Sequence, residues 1–99
     1  MDITVSELKE RLINPESLRI IDVREELEFH TFNIGGENIP LGKLLAGVNE
    51  IEFNKEEEII VVCQRGLRSE TARRVLVSHG FGNVKNLSGG LLAWRRAQM

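Results

Sequence analysis

The run Ile59-Ile60-Val61-Val62 constrains this chain more than any other stretch. Four β-branched apolar residues in succession leave no face for water. Such a strand belongs in the middle of a parallel sheet covered by helices on both sides. Cys63-Gln64-Arg65-Gly66-Leu67-Arg68 follows at once, and a helix is predicted from about Ser69 to His79. Ala72, Val75, Leu76 and His79 share one face of that helix at i, i+3, i+4, i+7 spacing, and Gly80 stops it.

The flanking sequence repeats the alternation. Ser6 followed by Leu8 and Leu12 predicts an N-capped amphipathic helix, with Val5 and Ile13 as further apolar contacts and Pro15 as its end. Leu18 to Val23 reads as a strand that breaks into the charged segment Arg24-Glu25-Glu26. Gly35, Gly36 and Pro40 mark an irregular crossing. Leu41 to Val48 reads as a short helix and Lys55 to Glu58 as an exposed charged turn, with Glu56-Glu57-Glu58 a solvated run. Val84 to Leu87 is a further strand, and Gly89-Gly90 leads into a last helix carrying Leu91, Leu92 and Trp94. Strands alternating with helices at this spacing imply a three-layer α/β domain with a mainly parallel central sheet. At 99 residues the chain has room for one such core, so residues 1–99 are expected to form a single domain.

Composition narrows the chemistry. A net charge of −2 offers no basic field for nucleic acid or an anionic membrane. The longest apolar run, Ile59 to Cys63, is far short of the ~20 residues that span a bilayer. The first residues lack the apolar core of a secretory signal, so a reducing, cytoplasmic setting is expected. One cysteine makes an internal disulfide impossible, and the two histidines have no metal-ligand spacing. Neither G-x-G-x-x-G nor a P-loop occurs, so no nucleotide, metal or other cofactor is expected. Nothing in the sequence demands more than a monomer.

What remains is one sulfur nucleophile in a conspicuous place. Ligands of open α/β sheets bind at the carboxyl ends of the strands, where Cys63 stands. A helix N-terminus there offers unpaired N–H groups and a positive dipole end. A tight loop around Gly66 turns further N–H groups inward. Arg65 and Arg68 add two positive charges. Each of these favours a thiolate on Cys63, in place of the inert core sulfur that a lone strand-end cysteine otherwise represents.

Cys63-Gln64-Arg65-Gly66-Leu67-Arg68-Ser69 resembles the C-x-x-G-x-R-S active-site loop of rhodanese-type sulfurtransferases. Asp22-Val23-Arg24-Glu25, then Glu28-Phe29, then Asn38-Ile39-Pro40-Leu41, resembles the upstream signature of that family in order and spacing. Leu87-Ser88-Gly89-Gly90 with Trp94 resembles its C-terminal signature. The chain departs from the pattern at Phe32 to Glu37, where the family has Gly-His-Ile before Pro-Gly-Ala; an altered turn is expected there. A phosphatase of the cell-cycle type would need C-x5-R, but position 69 is serine and the arginine falls at 68.

The resemblance implies a rhodanese-like α/β/α fold and covalent sulfur transfer through a Cys63 persulfide. The donor would be a small sulfur anion such as thiosulfate, and the acceptor cyanide, a thiol or a protein. A persulfide carrier within a sulfur relay is the alternative. The implied loop is Gln64, Arg65, Gly66, Leu67, Arg68 and Ser69, with both arginines orienting the dianion and Ser69 capping the helix and, as a further role, giving a hydrogen bond from its hydroxyl to the sulfur. Asp22 and Arg24 match the family's Asp-x-Arg and are expected to act as a supporting ion pair. Trp94 reads as a core anchor and His79 as a packing histidine, and His30 is not taken as a base.

Overall fold

The apolar run does form the central strand. In a computed structural model, which describes residues 1–14 and 18–98, β4 (Glu58–Val62) is buried along its whole length. It lies between β2 (Leu18–Asp22) and β5 (Val84–Leu87). Two-residue strands complete the sheet: β1 (Asp2–Ile3) beside β5, and β3 (Glu37–Asn38) beside β2. The order is β1-β5-β4-β2-β3 and every pairing is parallel. Neither short strand is expected from the sequence, because two residues carry no periodicity of their own.

Side chains alternate across β4, so its two faces build two cores. Ile59, Val61 and Cys63 pack with Ile21, Val23, Leu44, Ala72, Leu76 and Phe81. Ile60 and Val62 pack with Ile3, Leu8, Ile20, Leu87 and Leu91 on the other side. The first core is covered by α3 (Leu41–Gly47) and α4 (Leu67–Ser78), the second by α1 (Val5–Ile13) and α5 (Gly90–Arg96). The three-layer α/β/α architecture with a parallel sheet is therefore observed, and Cys63 continues the face that meets α4.

Several local expectations are corrected. Helix α1 is capped by Thr4, not Ser6: the Thr4 hydroxyl accepts from the Glu7 N–H and the Glu7 carboxylate accepts from the Thr4 N–H. This reciprocal capping box outweighs a lone serine two residues on. The expected stop at Pro15 lies outside the described residues. The charged segment after β2 contains a helix, α2 (Glu26–Thr31), which buries none of its residues and so lacks an amphipathic signal. Helix α4 begins two residues earlier than predicted, with Gly66 as its cap. Glu58 is not a solvated turn residue. It opens β4, is only 7% exposed, and accepts from Arg11 of α1 and Lys85 of β5, which offset the cost of burying its charge. In the altered turn, Gly36 has φ +83° and its missing Cβ would lie 2.5 Å from the Ile20 carbonyl oxygen, so a side chain there has no room.

Candidate active site

Cys63 sits where β4 ends and the backbone turns into α4. The residue is buried, only 1% exposed. It forms the floor of a cavity of about 290 Å³, lined also by Glu28, Gln64, Arg65, Leu67 and Arg68. The Gly66 N–H reaches the sulfur at 3.1 Å and the Ser69 N–H at 3.3 Å. The N–H groups of Gln64, Arg65, Leu67 and Arg68 meet no protein acceptor among the described residues. A helix start and a tight loop thus converge on one small volume with their donors unspent, which suits negative charge.

The loop keeps this shape because α5 grips it from behind. The Leu91 N–H donates to the Cys63 carbonyl at 2.9 Å and the Leu92 N–H to the Gln64 carbonyl at 3.0 Å. Those bonds fix the peptide planes of the loop. The approach is close enough that only glycine fits at position 90: a Cβ would lie 2.5 Å from the Gln64 oxygen and 2.6 Å from the Cys63 oxygen, at φ +65°. Gly90→Ala is expected to lower stability by about 2 kcal/mol or more, from left-handed strain and displaced backbone. It should also cut the rate of Cys63 sulfuration by about tenfold to a hundredfold, because the donors shift with the loop. Urea unfolding and a single-turnover assay read the two effects; a variant with wild-type values in both would remove the clamp.

Arg68 does not project freely into the cavity. Its guanidinium forms two bonds to Glu28 of α2, at 2.7 and 2.9 Å. Arg65, exposed at the rim, has no carboxylate within ion-pair distance among the described residues. The two arginines expected to share one task are thus distinguished by their surroundings. Arg68 ties α4 to α2, and Arg65 leaves its charge available to a ligand.

Asp22 and Arg24 lie below the site and do not line it. Both are buried, with Arg24 Nη2 2.8 Å from Asp22 Oδ2 and Nε 3.0 Å from Oδ1. Arg24 also donates to the carbonyls of Glu28, at 3.2 Å, and Phe32, at 2.6 Å. The pair holds the end of α2, and α2 holds Glu28 against Arg68. The expected supporting ion pair is therefore present, and its reach to the loop runs through backbone carbonyls that no sequence motif displays.

Hydrogen bonding to Arg68, opposed by partial burial, lowers the Glu28 carboxyl to about 2 from its usual value of 4.5. A carboxyl depressed on folding stabilises the folded state above its unfolded pKa and loses that contribution as pH falls through the folded value. Glu28 should thus contribute fully above about pH 4.5 and progressively less down to about pH 2. Subtracting urea midpoints of Glu28→Gln from those of wild type across this window isolates it. A difference that does not shrink on acidification would refute the pairing.

Ser69 is the third residue of α4 and not its cap. Its hydroxyl lies 3.2 Å from the Cys63 sulfur and 2.5 Å from Asn86 Oδ1. Asn86, on β5, also donates to the Gly66 carbonyl at 2.9 Å. Asn86 and Glu28 are the site residues whose roles sequence reasoning missed. A buried amide in the short strand Val84-Lys85-Asn86-Leu87 was the available signal. Trp94 packs against the second core with Lys9 over its ring, and His79 bonds the Val75 carbonyl. His30 is exposed on α2.

Residues 4–97 match the family model described as Rhodanese-like domain. The chain belongs to the rhodanese-like domain family. A Bacillus subtilis protein named as a candidate sulfur carrier, YrkF, is 37% identical over 94 residues, covering 94% of this chain. The chain spans half of YrkF's length. Thiosulfate sulfurtransferase GlpE of Pseudoalteromonas translucida is 33% identical over 90 residues, covering 87% of this chain and 81% of that protein. The crystal structure of a rhodanese-like domain protein from Staphylococcus aureus superposes with a TM-score of 0.81 at 32% identity, covering 95% of this chain and 91% of the other. This membership, with relatives named sulfurtransferase, supports a role in sulfur transfer. No helix among the described residues is long and apolar enough to cross a membrane.

Proposed function

We propose that the protein is a sulfurtransferase that carries a sulfane sulfur on Cys63, takes it from thiosulfate and passes it to cyanide, a thiol or a protein acceptor. The observation that supports it is the single sulfur on the floor of a small cavity ringed by unspent N–H donors and Arg65. The Cys63 thiolate attacks the outer sulfur of thiosulfate. A new S–S bond forms, the S–S bond of thiosulfate breaks, and sulfite departs with the electron pair. Acceptor attack on the outer sulfur of the persulfide returns the Cys63 thiolate, so no redox partner is required. This is covalent catalysis with ping-pong kinetics.

Each residue has a place in that cycle. Arg65 offers the incoming dianion a charge-assisted donor, and the loop N–H groups hold the terminal persulfide sulfur. Arg68 positions the loop through Glu28, and Asp22 with Arg24 supports α2. Gln64 and Leu67 form the walls, and Gly66 provides the left-handed turn, at φ +93°, that aims the donors. Thiol chemistry of this kind belongs in a reducing compartment such as the cytoplasm.

Incubating wild-type protein with thiosulfate should add one sulfur atom to the peptide containing Cys63, read by mass spectrometry. Cyanide should then release it as thiocyanate. No added mass would overturn the reading. Added mass without turnover to cyanide or a small thiol would instead make the chain a carrier, the description that YrkF bears.

A further inference from the structure

Behind the Cys63 sulfur lies a buried chain of hydrogen bonds that the transfer cycle does not require. It runs from Cys63 to the Ser69 hydroxyl, to the Asn86 amide, to the Gly66 carbonyl, and its side chains are nearly or fully shielded from water. The amide's orientation follows from its partners. Nδ2 must donate to the Gly66 carbonyl, so Oδ1 faces Ser69 and only accepts. Ser69 has one proton and two neighbours competing for it. The short 2.5 Å contact to Oδ1 claims that proton over the sulfur at 3.2 Å.

We propose that Asn86 is a positioning residue for Cys63: by holding the Ser69 proton, it makes the Ser69 oxygen an acceptor facing the sulfur. In that arrangement Ser69 receives the S–H of the resting thiol, and the whole chain points one way. When the sulfur loses its proton, Asn86 keeps the Ser69 O–H, and the Gly66 and Ser69 N–H groups alone donate to the charged sulfur. Asn86 thereby sets the balance between the protonated resting thiol and its ionised form. This rests on Cys63 being the reactive sulfur proposed above, but not on which sulfur donor it uses.

The charged groups around the sulfur are Arg65 and Arg68 on the loop and α4, Glu28 on α2, and the Asp22–Arg24 pair at the end of β2. None is altered in the variants below. From β5, Asn86, which does not titrate, bonds Ser69 and the Gly66 carbonyl, and from α5 backbone donors reach the loop.

The test is the pH dependence of Cys63 alkylation by iodoacetamide, which needs no sulfur-transfer activity. Asn86→Leu frees the Ser69 proton for the sulfur, so the midpoint should move to lower pH by about half a unit to one unit. The shift should vanish when Asn86→Leu is made in a Ser69→Ala background. Ser69→Ala alone, which leaves Asn86 and its bond to Gly66 in place, should not raise the midpoint. A rise in Ser69→Ala would show that Ser69 already donates to the resting sulfur and would overturn the proposal. So would an Asn86→Leu shift of equal size with and without Ser69. If the midpoints behave as expected while thiosulfate adds no mass, the sulfur-transfer reading fails and the positioning role stands.

Discussion

Cys63→Ser is expected to abolish sulfur loading from thiosulfate and to reduce thiocyanate formation by about 10³-fold or more. An alcohol with no base beside it stays protonated at neutral pH and cannot displace sulfite. Nor can its oxygen store a sulfur that cyanide later removes as thiocyanate. The fold should survive the change. The Cys63 sulfur accepts from the Gly66 and Ser69 N–H groups, and a serine oxygen retains acceptor character toward both. The stability cost should stay near the ~0.5–1.5 kcal/mol of one hydrogen bond. Urea midpoints close to wild type, combined with lost activity, locate the chemistry on the sulfur. Thiocyanate production at the wild-type rate would place it elsewhere.

Arg24→Ala should have the largest effect on stability. Removing the guanidinium leaves the Asp22 carboxylate buried without its partner, and the carbonyls of Glu28 and Phe32 without a donor. Breaking one side of a buried ion pair costs about 3–5 kcal/mol, against total stabilities of about 5–15 kcal/mol for domains of this kind. The variant should therefore be largely unfolded on warming or in low urea. Arg24→Lys should recover only part of the loss, because an ammonium cannot match the forked contacts to both carboxylate oxygens and two carbonyls. Unfolding midpoints by circular dichroism measure both. A midpoint for Arg24→Ala within about 1 kcal/mol of wild type would mean that water or a neighbour replaces the arginine.

These two expectations come from different depths of the sequence. Cys63 is legible because its signals are local: an apolar run, a cysteine at its end, a glycine and a helix start within a few residues. The helices over α3, α4 and α5 and the strands β2, β4 and β5 are legible for the same reason, since each carries enough residues to show a period. Helix α2 was not, because it buries nothing and is held by Arg24 from below and Arg68 from the side. Strands β1 and β3 exist only because a neighbouring strand edge presents unpaired groups to two residues. Glu58 looked like part of a solvated run until Arg11 and Lys85 came from distant elements to offset its burial.

The sequence by itself determined the strand-loop-helix unit that holds one sulfur at a strand end, and with it the class of chemistry. Tertiary structure decided how that unit is held and what each side chain does. It paired Arg68, in the wall of the cavity, with Glu28 of α2. It took the capping role from Ser69 and gave it to Gly66, left Ser69 beside the sulfur, and brought Asn86 and the first turn of α5 against the loop. The physical reason is range. Periodicity, capping and turn chemistry act within a few residues, whereas a buried charge or hydrogen bond is settled by whichever distant group the fold delivers to it.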